Sequence, residues 1–281
     1  MPFLFEPFQF EFFRNGTIAA TVTGALCGLI GVYIVLRGMS YIGHGLSHAI
    51  FGGAVVAFVM QINFYVGAGL WGFLAAVLIN QTARKTKIGA DAAIGVITTA
   101  SFAIGVAIIS QYRRFTQSFD AALFGNILGV KPDDVLVICA VSVMVALAIF
   151  AVYKQLLFTT FDSDVASVYG VRTAWIETLF ALALAAAIIV SMQIMGVTLI
   201  AAALVVPAIT ARLLTDNFNR MVLFSVLIGA GTGFAGMYVS YYIDVASGAT
   251  IVLLQAFAFS IALVFTAMRK RAGERLMHTH V

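Results

Sequence analysis

Two histidines stand inside a long stretch of this sequence that carries no formal charge. His44 and His48 lie between Gly38 and Ala83, where no Asp, Glu, Lys or Arg occurs. Because they are four residues apart, their side chains share one face of a helix. A helix that begins near Arg37 would carry the two imidazoles about 10 and 16 Å inward. Half of a hydrocarbon core is about 15 Å, so we expect His48 near the middle of a bilayer.

The spacing of the two imidazoles is typical of two ligands to one transition metal ion. Gly43 and Gly45 flank His44; they weaken the helix locally and would let backbone carbonyls face an ion. The alternative is that both histidines hydrogen-bond to carbonyls or hydroxyls of neighbouring helices. Ionisable groups inside a membrane are usually functional, but the pair alone does not specify a metal.

The composition places these histidines in a membrane protein. The chain has 281 residues, of which 62% are hydrophobic and 10% charged, whereas soluble domains are about 25% charged. We therefore predict an all-α polytopic membrane protein with about eight or nine transmembrane helices, forming a single domain over residues 1–281. The candidate spans are 16–36, 39–60, 67–83, 91–110, 133–153, 174–194, 197–213, 220–241 and 250–268. Residues 1–15 are expected to form an interfacial segment, and residues 269–281 a cytoplasmic tail.

The basic residues orient these spans, because Lys and Arg concentrate in cytoplasmic loops. They fall on alternate ends of the spans and place the C-terminus in the cytoplasm. The residues on that side are Arg37, Arg84, Lys85, Lys87, Lys154, Arg172, Arg212, Arg220, Arg269, Lys270 and Arg271. Arg113 and Arg114 are the exception. The same bias explains the net charge of +4. The sequence has no basic stripe with interleaved aromatics, so we do not expect nucleic acid as a partner.

Small residues and one proline mark where helices pack or bend. The spacings Gly24-x-x-x-Gly28 and Gly229-x-x-x-Gly233 are typical of close contacts between membrane helices. Pro207 lies inside the seventh span, where it removes a backbone hydrogen bond and predicts a kink. The polar stretch from Ser118 to Asp134 is too short to span and is expected to be re-entrant or interfacial.

No catalytic constellation is present, so we do not expect an enzyme. The chain has no G-x-x-x-x-G-K-[ST] loop, no G-x-S-x-G elbow and no H-E-x-x-H motif. Cys27 and Cys139 both lie in apolar runs, which excludes a disulfide framework. If ATP drives transport, a partner subunit must hydrolyse it.

A polar segment between the fifth and sixth spans predicts a short helix on the cytoplasmic face. Asp162 is a good N-cap, Asp164 is an acid in the first turn, and Gly170 suits the residue after the last turn. The alternative is a plain connecting loop.

This segment resembles the FDPE-x-A-x-x-x-G motif of the manganese, zinc and iron-chelate ABC permeases, the ABC-3 family. Four further stretches match that family in order along nearly the whole chain. Residues 37–49, RGMSYIGHGLSHA, resemble its R-R-M-x-x-x-G-D-A-L-S-H-A box; residues 91–95 resemble its D-x-x-I-G element; residues 123–128 resemble its L-F-G-N-L-L element; residues 195–212 resemble its V-G-x-x-L-V…P-A-A-x-A-R segment.

The resemblance implies a permease fold like that of the vitamin B12 importer, in the inner membrane of a bacterium. Two copies would form the pore, and each would dock an ATPase subunit through the short helix. The coupling residues would be Asp162, Ser163, Asp164, Val165, Ala166, Tyr169 and Gly170. A soluble or lipid-anchored metal-binding protein would deliver the ion from outside.

The sequence departs from the family at one of the positions that line its metal pathway. The His of the D-A-L-S-H-A box matches His48, but His44 occupies the position of the Asp. Two imidazoles suit zinc better than manganese, because they replace a hard oxygen ligand by a nitrogen. We expect an ATP-driven importer of a divalent transition metal, zinc before manganese or iron, with His44 and His48 as a transient site and no permanently bound cofactor. The alternative is a secondary carrier or channel that works without an ATPase partner.

Overall fold

The regular secondary structure of the described part of the chain consists of helices. The computed structural model describes residues 5–85, 90–111, 125 and 127–278. Within these residues ten α-helices follow one another and no strand is formed. They are α1 (Glu11–Leu36), α2 (Ile42–Val59), α3 (Phe64–Lys85), α4 (Ala90–Gln111), α5 (Pro132–Ala151), α6 (Tyr153–Phe161), α7 (Ser163–Val168), α8 (Thr173–Leu214), α9 (Phe218–Ile243) and α10 (Ser247–His278).

Eight of these helices are long and apolar enough to cross a membrane. The longest, α8, has 42 residues, which corresponds to about 63 Å of helix, or twice the thickness of a hydrocarbon core. Its backbone leaves helical geometry at Gly196, where φ is 74° and ψ is 165°. Glycine reaches such a positive φ without a steric penalty. The break divides α8 into a first arm, residues 173–195, and a second arm, residues 197–214.

The first arm runs back along α1, toward the start of that helix. The ring of Phe180 lies 6.0 Å from the ring of Tyr33. Further along, the hydroxyl of Ser191 lies 3.6 Å from the thiol of Cys27. The contact point on α1 therefore moves to lower residue numbers as the first arm proceeds.

The second arm runs along α1 in the opposite direction. Leu204 lies against Gly31, and Ala211 belongs to a buried cluster with Val35. The chain thus reverses at Gly196, and the predicted sixth and seventh spans are two antiparallel passes without a loop between them. The break is not at Pro207, because Gly196 is the one residue inside α8 whose backbone angles are non-helical.

Four glycines allow α1 and α9 to pack in backbone contact, as their spacing predicted. A Cβ atom on any of them would overlap a backbone carbonyl of the facing helix. The four are Gly24, Gly28, Gly229 and Gly233. Ser225 strengthens this contact, since its buried hydroxyl donates to the carbonyl of Gly28 at 2.7 Å.

The helices form two groups that α8 joins. One group consists of α2, α3 and α4, and the other of α1, α9 and α10. α8 contacts both groups, while α5 packs on α1 and α8. The outer faces expose large apolar side chains to the surrounding medium, as in a membrane protein; examples are Leu70, Leu136, Met144, Leu147, Leu253 and Phe257.

The ends of the chain extend further as helix than the hydropathy predicted. α1 begins at Glu11 rather than at residue 16, because its first polar turn lies before the apolar run. α10 continues as far as His278, through most of the predicted tail. Arg113, Arg114 and, within the stretch 118–134, residues 118–124 and 126 lie outside the described residues.

The contact between α1 and α9 gives a first testable prediction. Gly229→Ala should lower the free energy of unfolding by about 1–3 kcal/mol, because the new methyl group overlaps a backbone carbonyl that cannot move away. The control is Gly231→Ala on the same helix, where a Cβ would meet nothing within 4 Å. Thermal denaturation of both variants in the same detergent measures the difference. Equal melting temperatures would show that α1 and α9 are not in backbone contact.

Candidate functional site

The two histidines lie side by side near the start of α2. Their ring centroids are 4.5 Å apart and the ring planes are inclined by 80°. The edge of Phe102, on α4, contacts His48 at a centroid distance of 4.9 Å. Tyr41 lies 5.5 Å from His44. The shared face expected from the spacing is observed, and both imidazoles are half-buried.

One nitrogen of the pair has no hydrogen-bond partner among the residues that the structure describes. Nδ1 of His48 is buried and makes no hydrogen bond to the described residues. An unsatisfied buried polar atom costs about 1–3 kcal/mol, so such an atom calls for an explanation. For this atom the alternative interpretation, a hydrogen bond across to a neighbouring helix, is not observed. A neutral imidazole can offer this nitrogen as a ligand.

The pair alone provides an incomplete metal site. Among the residues that the structure describes, no group of three or more His, Cys, Asp or Glu side chains is placed to hold a metal ion. Zinc usually takes a tetrahedral ligand set and manganese an octahedral, oxygen-rich one. An ion bound here would need further ligands, such as water, backbone carbonyls or hydroxyls, and so small a set of strong ligands suits weak and reversible binding.

The glycines beside His44 make room for neighbouring helices. Gly43 lies against Leu204 of α8, and Gly45 lies against Ile94 of α4. Both glycines are buried. That close packing is on the side where a Cβ would stand, so the expectation that the backbone carbonyls face an ion stays a prediction.

Ser47 connects the histidine turn to the break in α8. Its side chain is fully buried. Its hydroxyl oxygen lies 2.8 Å from the carbonyl oxygen of His44 and 3.1 Å from that of Val197. Val197 directly follows Gly196, so the hydroxyl bridges α2 and the start of the second arm.

The short helix predicted between the fifth and sixth spans is observed as α7. The carboxylate of Asp162 caps it by accepting the N–H of Val165 at 2.9 Å. Gly170 ends it with a φ of 82°. Ala166 is fully buried against the bundle.

Four apolar side chains are exposed on and beside α7. Val168 is 84% exposed and Tyr169 is 78% exposed, and Val165 and Phe161 are exposed beside them. We call these four side chains the α7 patch. An exposed apolar cluster of this kind marks a surface for another molecule. The sequence singled out Val165 and Tyr169 but missed Val168, because a six-residue helix shows too little periodicity to assign its faces.

Glu177 ties α7 to α3 and α8. It accepts a hydrogen bond from Ser163 at 3.2 Å and pairs with Arg84, at the end of α3, at 2.5 Å. One residue further along α8, Thr178 accepts a hydrogen bond from Asn80 at 2.9 Å. The first turns of α8 are thereby held against both α7 and α3. We call this side of the molecule the α7 end.

Arg37 is held at the same end without a direct carboxylate contact. Its guanidinium donates to Thr160 at 3.1 Å and to Thr159 at 3.2 Å, and it lies 4.6 Å above the ring of Phe180. Burial lowers the pKa of Arg37, and the charge of Glu177 opposes this effect. Arginine nevertheless stays protonated at physiological pH, so the α7 end keeps a buried positive charge.

A second polar cluster joins α3, α5 and α8 at the opposite end. The hydroxyl of Tyr65 lies 2.6 Å from the side-chain oxygen of Gln193 and 3.1 Å from a carboxylate oxygen of Asp134. The other carboxylate oxygen of Asp134 accepts the N–H of Lys131 at 3.0 Å. The first arm of α8 is thus held to α3 near both of its ends.

A cavity of about 210 Å³ lies at the α7 end between α2, α3 and α8. Arg37, Arg84 and Glu177 line it, together with Ile42 and Leu46 of α2. Residues two apart on a helix point to opposite sides. His44 and His48 therefore face away from this cavity, which does not open onto the imidazoles.

Several residues of this arrangement escaped the sequence analysis as functional candidates. The partners Ser47 and Val197, and likewise Arg84 and Glu177, are distant in the chain, so local spacing could not pair them. The one available signal was a polar side chain inside an apolar run, which Gln193 provides.

The ion pair at the α7 end gives a second testable prediction. A double-mutant cycle of Arg84→Gln and Glu177→Gln should yield an interaction energy of at most about 1 kcal/mol, because both side chains reach solvent. Chemical denaturation of the two single variants and the double variant measures it. The interaction should weaken in high salt. An interaction energy well above about 1 kcal/mol, or one that high salt leaves unchanged, would contradict a solvent-exposed pair.

The comparisons with known proteins agree with this architecture. Residues 9–266 match the ABC 3 transport family. The manganese transport system membrane protein MntC of Listeria monocytogenes is 34% identical over 94% of both chains. The chelated iron transport system membrane protein YfeC of Yersinia pestis is 32% identical, over 93% of this chain and 89% of its own. The solved structure of PsaBC from Streptococcus pneumoniae in complex with Fab superposes with a TM-score of 0.83 at 34% identity, covering 92% of this chain and 94% of that one. The chain belongs to the ABC 3 transport family and is a multi-pass permease of that family.

Proposed function

We propose that this chain is the permease subunit of an ATP-driven importer of divalent first-row transition metal ions, with His44 and His48 at its transient transport site. The observation that carries the proposal is the pair of adjacent imidazoles, one with an unsatisfied buried nitrogen, inside a membrane helix of an ABC-3 permease. The ion is the cargo of this site and not a resident cofactor.

Manganese is the cargo that we place first. MntC, which matches this chain over 94% of its length, is named for manganese, and YfeC for chelated iron. Zinc was favoured by the two imidazoles, since nitrogen ligands suit it better than manganese. Zinc remains the second candidate, because His44 stands where the family places an oxygen ligand.

The site is suited to passage rather than storage. Two imidazoles form too small a ligand set to trap a divalent ion, and an importer must release its cargo. No acidic residue occurs between Gly38 and Ala83, so no fixed negative charge on α2 or α3 holds a cation there.

A test of this site is the third prediction. His48→Ala and His44→Ala should each lower metal uptake at least about tenfold, an effect that even the loss of an outer-shell group can reach. Tyr41→Leu is the control, because it removes another ring beside His44 without removing a metal ligand. Cells that lack other manganese and zinc importers are assayed for accumulated manganese, zinc and iron by mass spectrometry. Undiminished uptake by both histidine variants, at equal membrane abundance, would refute the site.

The same assay addresses the choice of metal. His44→Asp should raise the ratio of manganese to zinc uptake, because it restores a hard oxygen ligand. An unchanged ratio would indicate that selectivity lies in the protein that delivers the ion.

The α7 patch supports docking of an ATPase subunit at the cytoplasmic face. Its exposed apolar side chains sit on a short capped helix that contacts the start of α8. The basic residues at this end favour a cytoplasmic location for it. We propose that two copies of the chain and two ATPase subunits assemble in a bacterial inner membrane, and that an extracytoplasmic protein delivers the metal at the opposite end.

Docking through α7 is the fourth prediction. Val168→Asp should weaken association with the ATPase subunit at least about tenfold, because it puts a charge at the centre of an apolar contact. Leu214→Asp is the control: Leu214 is also exposed but ends α8, outside α7. Binding is measured on the chain in lipid nanodiscs with the purified ATPase subunit. Equal affinities of the two variants would exclude α7 as the main docking element.

The alternative, a secondary carrier or channel, makes a different prediction in the same system. A carrier would move metal ions into liposomes without any ATPase subunit. Such transport by the purified chain would contradict the proposed importer.

A further inference from the structure

We propose that the hydroxyl of Ser47 is a positioning group that makes the geometry of the histidine pair depend on the position of α8. The inference rests on the proposed role of His44 and His48 as the metal site. It goes beyond that role because it identifies the contact through which movement of another helix would reach the site.

The hydroxyl has one proton and two acceptors within reach. The carbonyl oxygen of His44 is 2.8 Å away and that of Val197 is 3.1 Å away. One proton cannot fully satisfy both carbonyls, so the bond is either shared or held by one of them. If Val197 moved away, the hydroxyl of Ser47 would donate only to the carbonyl of His44. If Val197 moved closer, the hydroxyl would donate more to Val197 and less to His44.

The acceptor on α2 is the carbonyl oxygen of His44, in the helical turn that carries both histidines. In an α-helix the carbonyl of residue 44 also accepts the N–H of residue 48. A change in the bond from Ser47 therefore acts on the turn that sets the two imidazoles relative to each other. The rings are only 4.5 Å apart, so a small rotation of this turn alters whether both nitrogens reach one ion.

The acceptor on α8 lies at the break, where the backbone can change direction. Val197 follows Gly196, whose non-helical angles separate the two arms. Nothing in a regular helix would allow one arm to move without the other. At this position a movement of the second arm relative to the first would change the distance between Ser47 and Val197.

The first arm connects this break to α7. Glu177, near its start, accepts a hydrogen bond from Ser163 of α7, and Gln193, near its end, contacts Tyr65 of α3. The segment between them is helical and about 24 Å long. A displacement of α7 is therefore carried to the break by a rigid element that is held at both ends.

Ser225 provides a matched control for the test. Like Ser47, it is fully buried, and its hydroxyl donates to a carbonyl of a neighbouring helix, that of Gly28, at 2.7 Å. It joins α9 to α1, away from the histidines. Ser225→Ala thus removes the same kind of bond without touching the site.

The experiment uses the complete transporter in liposomes, with its ATPase subunit and delivery protein and with manganese as the probe. Manganese uptake and ATP hydrolysis are measured together over a range of manganese concentrations. Ser47→Ala should raise the ATP hydrolysed per ion imported at least about threefold and change the apparent KM for manganese. Ser225→Ala should leave both quantities within about 1.5-fold of the wild type, although its melting temperature should fall by about as much as that of Ser47→Ala. Ser47→Cys, which has nearly the same shape and a weaker donor, should lie between the wild type and Ser47→Ala.

Two outcomes would overturn the proposal, and a third variant separates it from the proposed site. If Ser47→Ala and Ser225→Ala give the same ratio of ATP to ion, Ser47 contributes only stability. If Ser47→Ala does not assemble, Ser47→Cys decides, and a wild-type ratio for that variant refutes the role. His48→Ala is run alongside. If His48→Ala imports manganese at the wild-type rate, both the metal site and this inference are refuted. If His48→Ala does not import manganese while Ser47→Ala keeps the wild-type ratio of ATP to ion, only this inference is refuted.

Discussion

A peptide group without a hydrogen-bond partner is costly inside a bilayer, where no water can replace the missing bond. α8 breaks its helix at Gly196, and the ends of two helical arms leave backbone groups without their regular intrahelical partners. They are tolerated only where protein encloses them. Gly196 is buried, Gly125 packs against the end of the first arm, and Ser47 contacts the carbonyl of Val197. The packing of α2 against α8 depends on this requirement.

The same requirement explains the small residues around the histidines. α2 must come close enough for Ser47 to reach the break, and Gly43 permits that approach because a larger side chain would press on Leu204. Gly45 does the same toward α4. The two imidazoles occupy the positions of this turn that remain half-open. The candidate site is thus located beside a structural break, where one side of α2 is fixed and the other is accessible.

The sequence predicted the architecture well where local patterns decide it. Hydropathy separated residues 174–194 from 197–213, and the chain does reverse between them at Gly196. The four-residue spacing of His44 and His48 placed the imidazoles side by side, and the capping signals of Asp162 and Gly170 predicted α7. All three depend on residues within a few turns of each other.

Prediction was weaker where distant residues decide the outcome. Pro207 carried the sequence signal for a kink, whereas the reversal of the chain is at Gly196. Gly196 packs against Gly125, and the next residue, Val197, contacts Ser47 of α2. Gly43 and Gly45 drew attention as local weak points of a helix, and only the packed structure shows that they let Leu204 of α8 and Ile94 of α4 approach α2. The choice of metal had the same weakness, since ligand type favours zinc while the relatives named above bear names of manganese and iron systems.

The electrostatics of the bundle bear on how a cation would pass such a site. Of the acids that tie the helix ends together, Glu177 is paired with Arg84, and Asp134 is hydrogen-bonded to Tyr65 and to the backbone of Lys131. Both carboxylates are engaged at the ends, and none lies on α2 beside the imidazoles. A divalent ion would therefore be held by coordination to neutral nitrogens rather than by a counter-charge. Such binding depends strongly on ligand geometry, because a misplaced imidazole contributes little attraction at a distance. If His44 and His48 do bind the ion, a shift of the turn that carries them would release it, so the backbone contacts of α2 would matter for transport as well as the ligands.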